Sequence, residues 1–247
     1  MKLWSVLAVG ALCAGAWLYH RSKQNEEQDL DLQGTVSPTE RGEIVVATGN
    51  ANKMRELRRM LEPMGWKLVS MKEKGFSQDI EENGSTFAEN ALIKARALWE
   101  ATGCAVIADD SGLCVDALGG APGIHSARYS VDHADTQSDD DANNQKLLRE
   151  LGDRPDRAAR YVCAIAWMDA DGNEQVFYGQ CHGSIGYEPV GADGFGYDPL
   201  FVVEDGRTIA QLSAEEKDAI SHRGKALRQM AATVERMLAD GSIALSR

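Results

Sequence analysis

The sequence predicts an α/β protein built on a mixed, twisted β-sheet flanked by helices. Short apolar runs rich in β-branched residues alternate with segments whose hydrophobic residues recur at helical spacing. The turn-forming stretch 169–172 (Asp-Ala-Asp-Gly) lies between two such runs and predicts a hairpin, so part of the sheet is expected to be antiparallel. The predicted strands are Ile44–Thr48, Lys67–Met71, Ala105–Asp109, Tyr161–Met168, Val176–Gly179 and Leu200–Val203.

Helices are predicted between these strands from hydrophobic spacing and capping signals. One begins at about Asn52, where apolar residues start to recur at helical spacing. Thr86 and Glu89 fit a capping box for a second helix through roughly Thr102. A third ends near Gly152, and a long fourth helix, preceded by a capping box of Ser213 and Glu216, ends near Ala239.

Composition supports one catalytic domain over residues 42–247. The hydrophobic fraction of 43% is enough for a substantial core. The formal net charge of −12 argues against nucleic acid as a partner, because phosphate backbones require basic stripes. Five cysteines without metal spacing indicate reduced, buried thiols: Cys13, Cys104, Cys114, Cys163 and Cys181.

The pair Asp109-Asp110 is the strongest chemical signal. It follows the apolar run 105–108, and we expect the strand to end and turn there. Carboxylates at the mouth of a strand are good ligands for a hard cation such as Mg²⁺. Two adjacent carboxylates are also expected to raise each other's pKa unless a cation is bound. The alternative is a plain Asp-Asp-Ser-Gly turn that only ends the strand.

Two loops carry further candidates for this site. Residues 48–53 (Thr-Gly-Asn-Ala-Asn-Lys) join a strand to a helix, and free backbone N–H groups at such a helix start can bind phosphate. A simple strand–helix connection is the alternative, and the segment lacks the Gly-Lys-Ser/Thr ending of a Walker loop. Glu82 precedes the Thr86 cap and has no capping role, so it is either a metal ligand or a solvated side chain.

Two clusters nearer the C-terminus could recognise a flat polar ligand. In residues 194–199 (Gly-Phe-Gly-Tyr-Asp-Pro), glycines allow close approach, Phe195 could stack on a base and Asp198 could orient a polar group. Lys217, His222 and Arg223 put three donors near a helix start. The alternatives are a glycine-rich turn and an ordinary solvated charge cluster.

Taken in order, these segments resemble the inosine-triphosphate pyrophosphatase family, whose members are also called RdgB-like. The resemblance covers about residues 43–238 and shows no departure at a motif position. The motifs are Thr48-Gly49-Asn50 with Lys53, Glu82-Asn83-Gly84 with Thr86-Phe87 and Glu89-Asn90-Ala91, Ala108–Leu113, Gly119–Gly123 with Ser126–Tyr129, Phe195–Pro199, and Ser221-His222-Arg223.

The resemblance implies Mg²⁺-dependent hydrolysis of 6-oxopurine nucleoside triphosphates (ITP, dITP, XTP) to the monophosphate and pyrophosphate. It also implies an active-site cleft between two lobes and a homodimer. By motif position, Asp110 would be the proton acceptor and a metal ligand with Glu82, and Asp109 would support the metal. The substrate-binding set would be Thr48, Gly49, Asn50, Ala51, Asn52, Lys53, Ser111, Phe195, Gly196, Tyr197, Asp198, Lys217, His222 and Arg223.

Two rival functions remain at this stage. A nucleotide sensor would bind without cleaving, although binding alone would not require the acids at Glu82 and Asp109-Asp110. A Maf-type pyrophosphatase would act on pyrimidine nucleotides, but its Ser-x-Ser-Pro-Arg-Arg opening is absent, and Thr48-Gly49-Asn50 stands there instead.

The first 41 residues lie outside the family pattern. Leu3–Tyr19 is uncharged and apolar, and as a helix it would span roughly 26 Å, slightly less than a bilayer core. Basic residues follow it, which predicts a membrane anchor over residues 1–23 with the remaining chain in the cytoplasm. Residues 24–41 are predicted to be a flexible acidic tether. The alternative is a cleaved signal peptide, since Ala14-Gly15-Ala16 fits a cleavage pattern.

Overall fold

A six-stranded mixed sheet forms the centre of the protein. The structure, a computed structural model, describes residues 42–131, 139–243 and 245. The strand order is β2-β1-β3-β4-β5-β6, with β1 parallel to β2 and β3 and the other three pairings antiparallel. The predicted α/β class and the hairpin between β4 and β5 are therefore confirmed. The strands are β1 (Glu43–Ala47), β2 (Lys67–Ser70), β3 (Ala105–Val115), β4 (Ala158–Met168), β5 (Glu174–Ile185) and β6 (Phe201–Val202).

Five α-helices lie within the described residues, and the long helix predicted to end near Ala239 is in fact two. Ser221 is the C-cap of one and the N-cap of the other, in an extended conformation, and its hydroxyl accepts from the Gly224 N–H at 3.0 Å. Serine is a preferred N-cap, so the chain turns sharply there. The helices are α1 (Ala51–Leu61), α2 (Phe87–Thr102), α3 (Asp140–Leu151), α4 (Ala214–Ile220) and α5 (His222–Ala239).

Strand β3 does not end at the acid pair, which corrects the sequence-based expectation. It continues through Asp109, Asp110 and Ser111 to Val115. Its parallel neighbour β1 ends at Ala47, opposite Ala108, but β4 stays paired with β3 along its whole further length. The two acids therefore lie just beyond the end of β1. At this point β3 continues with antiparallel pairing only.

The two faces of β3 pack against different helices. Successive side chains of a strand point to opposite faces. Ile107 belongs to a hydrophobic cluster with α1 and α5, whereas Ala108 belongs to a cluster with α2. Asp109 therefore faces α1 and α5, and Asp110 faces α2.

A cleft separates two hydrophobic clusters on the α1–α5 face. Ile107 belongs to the first cluster and Leu113 to the second, and Asp109 and Ser111 lie between them on β3. This is the expected arrangement of two lobes with a polar cleft. Helix α5 starts directly on the sheet beside the cleft, since a Cβ on Gly179 would lie 1.9 Å from the His222 carbonyl oxygen.

The structure contains no helix long and apolar enough to cross a membrane within residues 42–131 and 139–243. The predicted span Leu3–Tyr19 and the predicted tether, residues 24–41, lie outside the described residues.

Candidate active site

Two adjoining cavities form the candidate site, and one of them is lined by side chains from both faces of β3. The first, which we call the acidic cavity, measures about 350 Å³ and contains the carboxylates of Glu82, Asp109 and Asp110. The second, the aromatic cavity, measures about 270 Å³ and contains Tyr161 and the segment 195–198. Both are lined by Asn50, Lys53, Ser111 and Ala127, so one extended ligand could occupy both.

The cavities bring together fifteen of the seventeen predicted site residues. Ala51 and Asn52 line neither cavity, and Asn52 instead accepts from Arg55 and lines a separate cavity. The acidic cavity is lined by Thr48, Gly49, Asn50, Lys53, Glu82, Asp109, Asp110 and Ser111, and the aromatic cavity by Phe195, Gly196, Tyr197, Asp198, Lys217, His222 and Arg223 together with Asn50, Lys53 and Ser111.

The start of α1 does not present the expected row of free N–H groups. The Asn50 side chain caps the helix and accepts from the Asn52 and Lys53 N–H groups at 2.8 and 3.1 Å. The Thr48 hydroxyl accepts from the Asn50 N–H at 3.2 Å. Asparagine is a preferred N-cap, so it occupies donors that sequence reasoning assigned to phosphate. The Lys53 ammonium is thus the stronger anion-binding group on this helix.

Asp109 is fully buried and surrounded by donors. Its carboxylate accepts from Arg223 at 2.9 Å, from the Ser111 hydroxyl at 2.9 Å and from the Cys163 thiol at 3.1 Å, and it pairs with the Lys53 ammonium at 2.5 Å. Burial alone would raise the pKa of Asp109, but Arg223 and Lys53 outweigh it and hold that pKa well below its usual value. Asp109 is therefore a permanent anion that positions two cations.

Asp110 lies on the other face of β3 and has the opposite shift. It pairs with the Lys94 ammonium at 3.0 Å and contacts the Asn90 amide at 3.4 Å. Burial raises the pKa of Asp110, and Lys94 and Lys53 offset this only in part. The expectation that the adjacent acids raise each other's pKa is wrong for Asp109, because the two carboxylates face different partners. A carboxylate with a raised pKa is suited to accept a proton.

Glu82 and Asp110 converge on one cation. The Lys94 ammonium lies 2.7 Å from a Glu82 oxygen and 3.0 Å from an Asp110 oxygen. Burial disfavours the charge on Lys94, but Asp110 and Glu82 outweigh it and raise its pKa. No group of three or more His, Cys, Asp or Glu side chains forms a metal cluster in the described residues. Two carboxylates still fit Mg²⁺, which usually takes one or two plus water and substrate phosphates.

A buried ion network includes three residues that line the aromatic cavity, Asp198, Lys217 and Arg223. Glu56 of α1 pairs with the Lys217 ammonium at 2.8 Å and with the Arg223 guanidinium. Lys217 also pairs with Asp198 at 2.6 Å, and it lies 4.7 Å from the centroid of the Phe195 ring. Burial opposes the ionisation of Glu56, yet Arg223 and Lys217 lower its pKa. The break at Ser221 makes this possible, because it lets α4 and α5 each direct a cation toward α1.

His222 is neutral and lies against an aromatic ring. Its imidazole stacks on Tyr161 with ring centroids 4.7 Å apart, and Nδ1 is buried with no hydrogen-bond partner. Burial and Arg223 both hold the pKa of His222 well below its usual value. The Tyr161 hydroxyl contacts Asp198 at 3.3 Å. One imidazole nitrogen of this cavity-lining residue is therefore unpaired.

Sequence reasoning missed Lys94, Glu56 and Tyr161. For the first two a signal existed: each is a charged residue on the apolar stripe of its helix, beside buried residues such as Ala95 and Leu57. A charge on that stripe is expected to be buried and paired. Tyr161 carried no such signal, since a tyrosine in an apolar strand is usually a core residue.

Comparison with known proteins gives the family. The sequence model described as the Ham1 family matches residues 44–233. The chain belongs to the Ham1 family. A dITP/XTP pyrophosphatase of Streptomyces avermitilis is 50% identical over 200 residues, covering 79% of this chain and 98% of the relative. One from Bacillus licheniformis is 46% identical over 196 residues, covering 78% and 98%.

Solved structures agree with the Ham1 family assignment. The Ham1 protein of Staphylococcus aureus superposes with a TM-score of 0.70 at 42% identity, over 78% of this chain and 98% of that chain. A nucleoside-triphosphatase, dITP/XTP pyrophosphatase, of Mycobacterium abscessus gives 0.61 at 47% identity, over 76% and 98%. The resemblance drawn from the sequence motifs is confirmed.

Proposed function

We propose that this Ham1 family member hydrolyses dITP, ITP and XTP between the α and β phosphates, giving the nucleoside monophosphate and pyrophosphate. The observation that carries the proposal is the pair of joined cavities. One has carboxylates and ammonium groups suited to a metal-bound polyphosphate, and the other has an aromatic ring and donors suited to a 6-oxopurine. Relatives named dITP/XTP pyrophosphatase, at 46–50% identity, support the same substrate class.

The acidic cavity supplies the chemistry in this proposal. Glu82 and Asp110 would hold Mg²⁺, which would neutralise phosphate charge and polarise the attacked phosphorus. Asp110 accepts the proton of the attacking water, a role that its raised pKa supports. Lys53, held by Asp109, and the loop residues Thr48–Asn50 bind phosphate oxygens. Ala51 and Asn52 have no such support, since they line neither cavity.

The aromatic cavity selects the base. Phe195 stacks on the purine, and Lys217, His222 and Arg223 face it with hydrogen-bond donors. Glu56 and Asp198 take two of the three ammonium donors of Lys217. Lysine and arginine side chains cannot accept a hydrogen bond. A 6-oxo group can therefore accept hydrogen bonds from Lys217 and Arg223. A 6-amino group is itself a donor and could form no hydrogen bond with these two residues.

The direct test of the reaction is product analysis. The purified protein should convert ITP, with Mg²⁺, to IMP and one pyrophosphate per turnover, measured by ion-exchange chromatography. EDTA should stop the conversion. Release of orthophosphate with IDP would contradict cleavage between the α and β phosphates. Intact ITP bound to the protein would favour a sensor.

We also propose how the whole chain is located and assembled. Residues 1–23 anchor the protein in a membrane, residues 24–41 are a tether, and residues 42–247 act in the cytoplasm as a homodimer. Fractionation should find the full chain in membranes with Met1 retained. Residues 42–247 alone should sediment with twice the chain mass, and their kinetic constants should equal those of the full chain. A mature N-terminus near Trp17 would contradict the anchor, and a monomeric mass would contradict the dimer.

A further inference from the structure

Helix α3 binds both backbone polar groups of Gly196. The Gly196 N–H donates to the Asp140 carboxylate at 2.7 Å, and the Asn144 amide donates to the Gly196 carbonyl oxygen at 2.9 Å. Asp140 and Asn144 are four residues apart, so they share one face of the helix. A hydrogen bond to an ionised carboxylate is stronger than a neutral one. Helix α3 therefore fixes the two consecutive peptide units that meet at Gly196.

Gly196 lies in the segment that forms one wall of the aromatic cavity. Gly196 has a φ of 62°, a conformation that favours glycine, and its neighbour Phe195 carries the aromatic ring. On the other side of that ring, the Phe195 N–H donates to Asp198 at 2.9 Å. The segment is therefore held at three consecutive peptide units, the first by Asp198 from within the loop and the next two by α3 from outside it.

The same helix also holds a second segment that lines the cavity. Asn143, beside Asn144, accepts from the Ser130 N–H at 2.7 Å and donates to the Ala127 carbonyl oxygen at 3.3 Å. Ala127 lines both cavities, and Asp140 itself lines the aromatic cavity. Helix α3 thus sets the distance between the walls that would enclose a base.

Packing alone does not explain an asparagine at position 144. It is buried, and its Oδ1 atom has no hydrogen-bond partner. A buried unsatisfied acceptor destabilises the fold, and an apolar residue of similar size would avoid that penalty. The contact of its amide with the Gly196 carbonyl oxygen is what such a residue could not provide.

We propose that Asp140 and Asn144 are positioning residues that fix the Phe195–Gly196 segment against the nucleobase and so determine affinity for the purine. This inference rests on the proposed function. It predicts a loss confined to the base end of the ligand, because the proposed phosphate-binding groups, Lys53 and Thr48–Asn50, belong to other elements.

The test uses titration calorimetry of the full chain with two probes, IMP and Mg²⁺-pyrophosphate, so that turnover is not needed. Asp140→Ala should weaken IMP binding about tenfold, the expectation for one hydrogen bond to a charged group. Asp140→Asn keeps an acceptor and should lose less. Pyrophosphate affinity should stay within about twofold of wild type. Asp141→Ala, on the same helix turn with the same change in charge, should bind both probes normally.

Asn144→Leu separates positioning from structural support. It removes the unsatisfied oxygen, so the free energy of unfolding should hold or rise while IMP affinity falls. Unchanged IMP affinity in both Asp140→Ala and Asn144→Leu would overturn the inference and leave the proposed function standing. Equal losses for IMP and pyrophosphate, or an equal loss in Asp141→Ala, would also overturn it. A wild-type protein that binds pyrophosphate but no IMP would reject the proposed function and the inference with it.

Discussion

Asp109 and Asp110 are neighbours in β3, yet their carboxylates lie on opposite faces of the sheet and their pKa values are shifted in opposite directions. Asp109 faces α1 and α5 and neutralises Lys53 and Arg223, whereas Asp110 faces α2 and pairs with Lys94. One strand thus provides a fixed anion for positioning and a proton acceptor for chemistry. Pairs of titratable groups with diverging pKa values are typical of acid–base sites.

The first prediction concerns Asp110→Asn. Turnover of ITP should fall by about 10²–10⁴-fold, because the variant loses the proton acceptor and a metal ligand while nearly keeping the shape. IMP binding and the unfolding midpoint should remain close to wild type. Single-turnover rates and calorimetry check both parts. Asp116→Asn, an exposed acid just beyond β3, is the control and should retain full activity. Wild-type turnover in Asp110→Asn would show that the catalytic group lies elsewhere.

Lys94 sets the acid limb of the pH–rate profile. Its positive charge lowers the pKa of Asp110, so Lys94→Met should raise that pKa further. The base is active only when ionised, and activity is lost as pH falls through its pKa. The acid limb of kcat/KM should therefore move to higher pH in Lys94→Met. A profile that stays in place, or moves to lower pH, contradicts the proposed coupling.

Glu56 should be essential for stability. It is the shared partner of Lys217 and Arg223, and all three side chains are buried. Removing one member of a buried network leaves uncompensated charge, so Glu56→Ala should lower the free energy of unfolding by about 3–5 kcal/mol. Urea denaturation measures this. Glu62→Ala, which breaks the exposed pair with Arg58, should cost less than about 1 kcal/mol. Similar losses in both variants would show that burial of the network contributes nothing.

His222 should make the fold sensitive to mild acid. Its folded-state pKa is well below the ordinary 6.5, so below about pH 6.5 the unfolded chain takes up a proton that the folded protein excludes. Stability present at pH 7.5 is therefore lost as pH falls, by about 1.4 kcal/mol per unit. Denaturation at pH 7.5 and 5.5 should show a drop about 1 kcal/mol smaller in His222→Phe, which keeps a ring against Tyr161. The same drop in both proteins would argue against a buried neutral imidazole.

The six strands were predictable because apolar, β-branched runs bounded by turn residues carry a local signal. The true length of β3 was not, because its second half lacks the parallel neighbour β1 and pairs with β4, more than forty residues away. The break at Ser221 was also missed. The residues after Ser221 are compatible with a continuous helix, so the sequence gives no local sign of a break. The reason for the turn is that α4 and α5 both pack their cations against Glu56.

The site was predictable in membership more than in geometry. Those side chains have few purely structural uses together, so motif order selected Asp110, Lys53 and Arg223, which line the two adjoining cavities. It did not show that the Asn50 cap consumes N–H donors, or that Asp109 and Asp110 have separate partners. Neighbouring residues of a strand point to opposite faces of the sheet, so two adjacent acids can have entirely different partners. Pairing between distant helices leaves no local pattern in the sequence.

The central claim is discrimination at position 6 of the purine, and competition between ITP and ATP measures it most directly. Pyrophosphate release with Mg²⁺ should give kcat/KM for ITP or XTP above that for ATP by a factor on the order of 10² or more, because a 6-amino group leaves the donors of Lys217 and Arg223 unpaired. Equal kcat/KM values for ITP and ATP would contradict the account.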